Sequence, residues 1–153
     1  MLLLLFTLGQ HRYALEARQV IEVVPLAELK EIPRAPDYVA GVLNYRGTPV
    51  PVLDITRMNQ NYPSRVCMST RIILVNYQAA GATPNILGLM AERVTETAKR
   101  ERAEFVATGV ATPDAPYLGP VSNDSGGMLQ LMDINELIPD EVRTLLFPTA
   151  TAA

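Results

Sequence analysis

Carboxylates are the first place to look for chemistry, since two of them in one site can divide acid and base roles. Asp54 and Asp133 each end an apolar run and are followed by isoleucine. As a pair they would suit proton transfer. Singly, each closes a strand and caps the next turn through a side-chain oxygen, the plainer reading. His11 lies beside Arg12 in a polar turn, with no nucleophile motif to serve. Cys67 sits between Val66 and Met68 and reads as a small buried hydrophobe rather than a reactive thiol. One histidine and one cysteine in the chain fall short of the ligand set that zinc draws on. The glycines form neither a dinucleotide nor a phosphate-loop pattern, so no cofactor is implied. The run Lys99-Arg100-Glu101-Arg102, bordered by Glu96 and Glu104, reads as a solvated face and not as a nucleic-acid patch.

Asp124-Ser125-Gly126 has the residue order of dimeric aspartic hydrolases, which hold two carboxylates around one proton. Asn123 before it and Gly127 after it make it ordinary hairpin-turn chemistry instead. The segment Gly41-Val42-Leu43-Asn44-Tyr45-Arg46-Gly47 is different: it sets an asparagine and an arginine on the flank of a strong β segment. On its face this is a hairpin turn with a surface arginine. An arginine at a barrel rim also suits protein recognition, because its planar fork holds a partner with little loss of entropy.

The elements that must position these residues are mostly short strands. Apolar runs at 2–8 and 13–15 flank a polar, glycine-led tetrad and predict a β-hairpin. Residues 16–24 fit a helical turn passing into a strand. Pro33 and Pro36 make 32–36 a loop. Strands follow at 39–44 and 50–53 around the turn 46–48, and Pro49 and Pro51 assign the second to a sheet edge or bulge. Residues 71–77 are the clearest strand, paired with 86–90 across a loose connection at 78–85. Residues 94–106 are weakly patterned, 108–116 form a loop, and 117–121 with 128–132 form a last hairpin. A short helix from Asp133, another from Pro139-Asp140 to about Phe147, and a small-residue tail complete the chain. The run Val50-Pro51-Val52-Leu53-Asp54-Ile55 is echoed by Leu129-Gln130-Leu131-Met132-Asp133-Ile134, which suggests two similar small β-barrels.

Bulk properties agree. The chain of 153 residues is 48% hydrophobic and 19% charged, with a net charge of −3. That is a globular composition, with no electrostatic reason to expect nucleic acid or an anionic membrane as partner. The opening Met1-Leu2-Leu3-Leu4-Leu5-Phe6 lacks a basic flank and stops at Thr7, so it predicts a buried strand rather than a leader or a membrane insertion.

The segment 41–47, followed by Pro51-Val52-Leu53-Asp54, resembles the signature of CheW-like domains, in which a Gly…Asn-x-Arg-Gly motif precedes an apolar strand closed by Asp. Phe6-Thr7-Leu8-Gly9 with Tyr13-Ala14-Leu15 resembles that family's opening hairpin, and Val20-Ile21-Glu22-Val23 its segment before the proline loop. The likeness spans residues 3–139. It implies an all-β fold of two SH3-like five-stranded β-barrels sharing a core, with short helices including one at the C-terminus. It implies a single domain over 1–148, and the small residues after Pro148 predict a flexible tail at 149–153. The implied function is that of a non-catalytic adaptor in the cytoplasm, recruited to membrane receptor arrays. Its implied partners are the cytoplasmic tip of a methyl-accepting chemoreceptor, the regulatory domain of a CheA-type histidine kinase, and other CheW-like proteins. By motif, Val20, Glu22, Val42, Asn44, Arg46 and Val50 line or support the groove that takes the receptor's helical hairpin, with Arg46 foremost. Pro49, Tyr45 and the length of the 78–85 connection depart from the family pattern. On the residues alone, a β-barrel binding module of another pathway and a dimeric aspartic hydrolase using Asp124 stay open.

Overall fold

A computed structural model describes residues 1–78 and 83–148. The expected tail at 149–153 and the middle of the 78–85 connection lie outside the described residues. The strands of the described residues are β1 (Leu2–Leu8), β2 (His11–Glu16), β3 (Val20–Pro25), β4 (Val39–Tyr45), β5 (Thr48–Asp54), β6 (Arg71–Tyr77), β7 (Asn85–Lys99), β8 (Leu118–Asp124) and β9 (Gly127–Met132). Two short α-helices, α1 (Ile55–Gln60) and α2 (Asp140–Leu146), follow β5 and close the described chain. A single 3-10 turn at Ala17–Gln19 leads into β3, as the mixed period of 16–24 predicts.

The strands form two five-stranded lobes that share β7. In the second lobe the order is β3-β6-β7-β5-β4, with Asn85 to Ala91 of β7 against β6. In the first lobe it is β7-β1-β2-β9-β8, with Glu92 to Lys99 against β1. The lobes repeat one plan. Each has a parallel pair, β5 on β7 and β9 on β2, and each ends on a hairpin, β4–β5 or β8–β9. The echo seen in the sequence falls on β5 and β9, and the likeness runs deeper. The Asp54 N–H donates to the Tyr38 carbonyl at 2.7 Å, and the Asp133 N–H to the Tyr117 carbonyl at 2.8 Å. Each aspartate then caps the turn after its strand, Asp54 accepting from the Arg57 N–H and Asp133 from the Asn135 N–H.

Three apolar clusters explain the strand composition. Leu43, Val50, Val52, Ile72 and Leu74 fill the second lobe. Leu3, Leu5, Ala14 and Leu129 fill the first. The largest cluster lies between the lobes and includes Leu4, Phe6, Leu8, Leu53, Ile73, Val75 and Leu89. Alternate residues of β1 and β6 thus enter different cores, so both faces are buried and the strands read as unbroken apolar runs. The leader-like leucine run is this double burial.

Four expectations need correction. Residues 94–99 are not loosely patterned chain but the second half of β7. They pair only with β1 and expose most of their side chains, which removes the apolar alternation. The strand holding Pro49 and Pro51 is not an edge throughout, since Val52, Leu53 and Asp54 pair with β7; the prolines sit in the half with β4 as sole neighbour. Pro139 is the residue that precedes the first turn of α2 rather than a member of it. The basic run 99–102 is not wholly solvated: the Arg100 guanidinium donates to Asp124 at 2.6 Å and is largely covered.

Glu92 marks the switch point of β7 and is buried. It accepts from the Arg65 N–H at 2.8 Å and the Gly9 N–H at 3.4 Å, so one carboxylate ties the loop after α1 to the first hairpin. Asn59 of α1 does the same between Tyr13, whose hydroxyl accepts from its amide at 3.0 Å, and Tyr117, which donates to its carbonyl at 2.9 Å.

Candidate functional site

The β4–β5 hairpin turns on two residues, Arg46 and Gly47, between the paired Tyr45 and Thr48. Both have positive φ, 52° and 86°, which is what a type I′ hairpin turn requires and what glycine and asparagine accept most easily. Arginine is a poor choice there on backbone grounds, since a β-carbon in the left-handed region costs about 1–2 kcal/mol. The Asn44 side chain supports the turn by accepting from the Gly47 N–H at 2.8 Å. A non-glycine residue held in the left-handed region at an exposed turn is a candidate functional residue.

The Arg46 side chain is 75% exposed, and its guanidinium donates to Glu22 Oε1 at 3.1 Å. The Tyr45 hydroxyl donates to the same oxygen at 2.6 Å. That bond to a carboxylate holds the Tyr45 phenol protonated, with its pKa above the usual value. The guanidinium also lies 5.2 Å from the centre of the Tyr45 ring. Glu22 belongs to β3 and Arg46 to the hairpin of β4, the two outer strands of the second lobe. The polar triad therefore bridges the seam where this lobe closes. One guanidinium nitrogen is engaged; among the described residues the rest of the fork makes no hydrogen bond.

The other sequence-chosen residues lie around this point. Val20 opens β3 half-buried against the inter-lobe core. Val42 is half-buried on β4, where its N–H and carbonyl bond Lys30. Asn44 is exposed beside Arg46. Val50 has no exposed surface and packs inside the second lobe, beneath the hairpin that carries Arg46. Gly41 supports it too: at φ +144° it lies so close to the Lys30 carbonyl that a β-carbon would stand 2.6 Å from that oxygen. Tyr45 is the residue that sequence reasoning noticed only as a departure. The signal available was a phenol next to an exposed arginine, but its partner Glu22 is far away in sequence.

The remaining candidates resolve differently. Asp124 keeps its turn role, accepting from the Gly126 N–H at 2.7 Å. It also receives two bonds from Arg12, at 2.7 and 3.2 Å, and one from Arg100. These arginines hold its carboxyl far below the usual carboxylate range, the opposite of what a shared catalytic proton needs. Cys67 is not buried. It lies exposed with Val66 and Met68, which are 89% and 94% exposed. Its sulfur lies 3.3 Å from the Thr70 hydroxyl and 3.5 Å from that of Ser69, and these bonds lower the thiol pKa to about 7. His11 is exposed at the start of β2, opposite Leu8. No group of three or more potential metal ligands occurs among the described residues. None of the described helices is long and apolar enough to cross a membrane.

Comparison with known proteins agrees with this architecture. Residues 2–142 match the model of the CheW-like domain. The chemotaxis protein CheW of Klebsiella aerogenes is 28% identical over 149 residues, covering 94% of this chain and 84% of that protein. Protein FrzA of Myxococcus xanthus is 31% identical over 87 residues, covering 55% of this chain and 54% of FrzA. The crystal structure of the scaffolding protein TtCheW from Thermoanaerobacter tengcongensis superposes with a TM-score of 0.74 over 86% of this chain and 82% of that one, at 23% identity. The two five-stranded lobes that share β7 are consistent with the two-barrel fold of CheW. The chain belongs to the CheW-like domain family, whose members are non-catalytic scaffolds.

Proposed function

We propose that this chain is a cytoplasmic adaptor that couples the tips of methyl-accepting chemoreceptors to the regulatory domain of a CheA-type histidine kinase, and that residues 1–148 act as one unit in doing so. The observation that supports this most is Arg46: strained in its backbone, dispensable to the core, and aimed outward by Glu22 and Tyr45. In this reading Arg46, Glu22, Asn44 and the exposed edge of Val42 face the receptor hairpin, while Val20 and Val50 hold their strands in place. A helical hairpin docks by apolar packing along its length, and one oriented guanidinium fixes its register by bonding a carboxylate or a helix-end carbonyl. Other CheW-like proteins are partners by the same logic, through barrel surfaces away from this seam, and the adaptor is recruited to receptor arrays without inserting in the membrane. A pull-down with the kinase and a receptor cytoplasmic fragment tests the proposal. The wild type is expected to retain both, and a folded Arg46→Glu variant to lose the receptor and keep the kinase. A folded wild type that retains neither would refute it.

A further inference from the structure

At the junction of the lobes, on the side where β4 and β8 begin, lies a groove of about 540 Å³. Tyr38, Met58 and Ile138 contribute its apolar floor, and Asp114, Glu136 and Asp140 its rim. No lysine or arginine lines it. Asp140 is bonded to Arg143 at 2.9 Å, yet its side chain stays 85% exposed; Asp114 and Glu136 form no ion pair among the described residues. The groove is preformed. Tyr38 and Tyr117 stand at equivalent points of the two lobes, each fixed by the carbonyl bond that closes the hairpin behind it. Pro113, Pro116 and Pro139 stiffen the intervening walls. It lies at the opposite end of β4 from the Arg46 turn, so it is a separate surface.

We propose that this groove docks a basic, apolar peptide segment of a partner protein. An apolar floor wants a bulky aliphatic or aromatic side chain, and an acidic rim on which Asp114 and Glu136 form no ion pair among the described residues selects for flanking lysine or arginine. A rigid site lowers the ordering cost of such a segment. The inference does not depend on what binds at Arg46, and it holds whether or not the partners are a receptor and a kinase.

The test uses the full chain, labelled with nitrogen-15, and a short capped peptide of alternating arginine and leucine as probe. Its glutamate–leucine counterpart is the control. Saturable binding of the basic peptide is expected, with amide shifts confined to the neighbourhood of Tyr38, Glu136 and Ile138. Binding should weaken about tenfold in the double variant Asp114→Lys, Glu136→Lys and fall with added salt. Both substitutions are at exposed positions, and an unchanged melting temperature confirms that the variant folds. Equal binding of the acidic peptide, shifts scattered over the surface, no saturable binding, or a folded double variant that binds as the wild type does would each overturn the proposal.

Discussion

Replacing Arg46 by asparagine separates two roles that an arginine in a hairpin can have. If it organises the fold, its loss is costly; if it serves a partner, its loss is cheap for the fold and costly for binding. The structure allows the stability change to be worked out. Asn-Gly is the favoured type I′ pair, so Arg46→Asn relieves much of the roughly 1–2 kcal/mol that a left-handed arginine costs. Against this stands the bond to Glu22, an exposed pair contributing about 0.2–1 kcal/mol. The ring contact with Tyr45, also exposed, adds about 0.5 kcal/mol. The two sides nearly cancel. The variant is therefore expected to match wild-type stability to within about 1 kcal/mol, or about 2–4 °C in Tm for a domain of this size. Binding of a receptor fragment, followed by fluorescence anisotropy, is expected to weaken about thirtyfold, as for an arginine at the centre of an interface. Urea unfolding gives the stability. A loss of more than about 2 kcal/mol there would show that Arg46 holds the fold together, and the argument from strain to function would fail.

Asp124, clamped by Arg12 and Arg100, has a folded-state pKa below its unfolded one. Its contribution is therefore complete above the unfolded carboxylate pKa of about 3.9, begins to shrink below it, and is lost as pH falls through the lower folded-state value. Asp124→Asn is expected to cost about 1–2 kcal/mol at neutral pH, with the difference shrinking towards pH 3 in urea unfolding; a gap of equal size at both pH values would contradict the clamp. Cys67, with its thiol pKa near 7, is expected to react with iodoacetamide at a rate that rises through a midpoint near pH 7. Thr70→Val removes one of the two hydroxyl bonds and should move that midpoint upward, and an unmoved midpoint would show that the hydroxyls do not stabilise the thiolate.

Local chemistry was readable in the sequence and long-range pairing was not. The strands, the proline loop, the two aspartate caps and the echo of β5 in β9 all follow from nearest neighbours, turn residues and periodicity. The second half of β7 escaped because an edge segment with one neighbour has no buried alternate face to declare itself. Cys67 misled because apolar neighbours usually mean burial, whereas here Val66, Cys67 and Met68 all stand in solvent. The arginines on Asp124 come from β2 and from the chain after β7, positions that no local window connects. Of the site, the motif 41–47 supplied Asn44 and Arg46, while the bond from Tyr45 to Glu22 emerges only once the second lobe closes on itself.

The sharing of β7 has a consequence for synthesis on the ribosome. The second lobe is contiguous in the chain, from β3 to the first half of β7, and it can assemble as soon as Ala91 has emerged. The first lobe cannot. Its β1–β2 hairpin is made at the outset, but Arg12 must wait for Leu129, a delay on the order of ten seconds at ribosomal rates. Through that interval the newborn leucine-rich strand has no finished neighbour except its own hairpin, until the second half of β7 emerges beside it. The Arg12–Asp124 bond, which spans 112 residues, is thus among the last contacts a nascent chain can make.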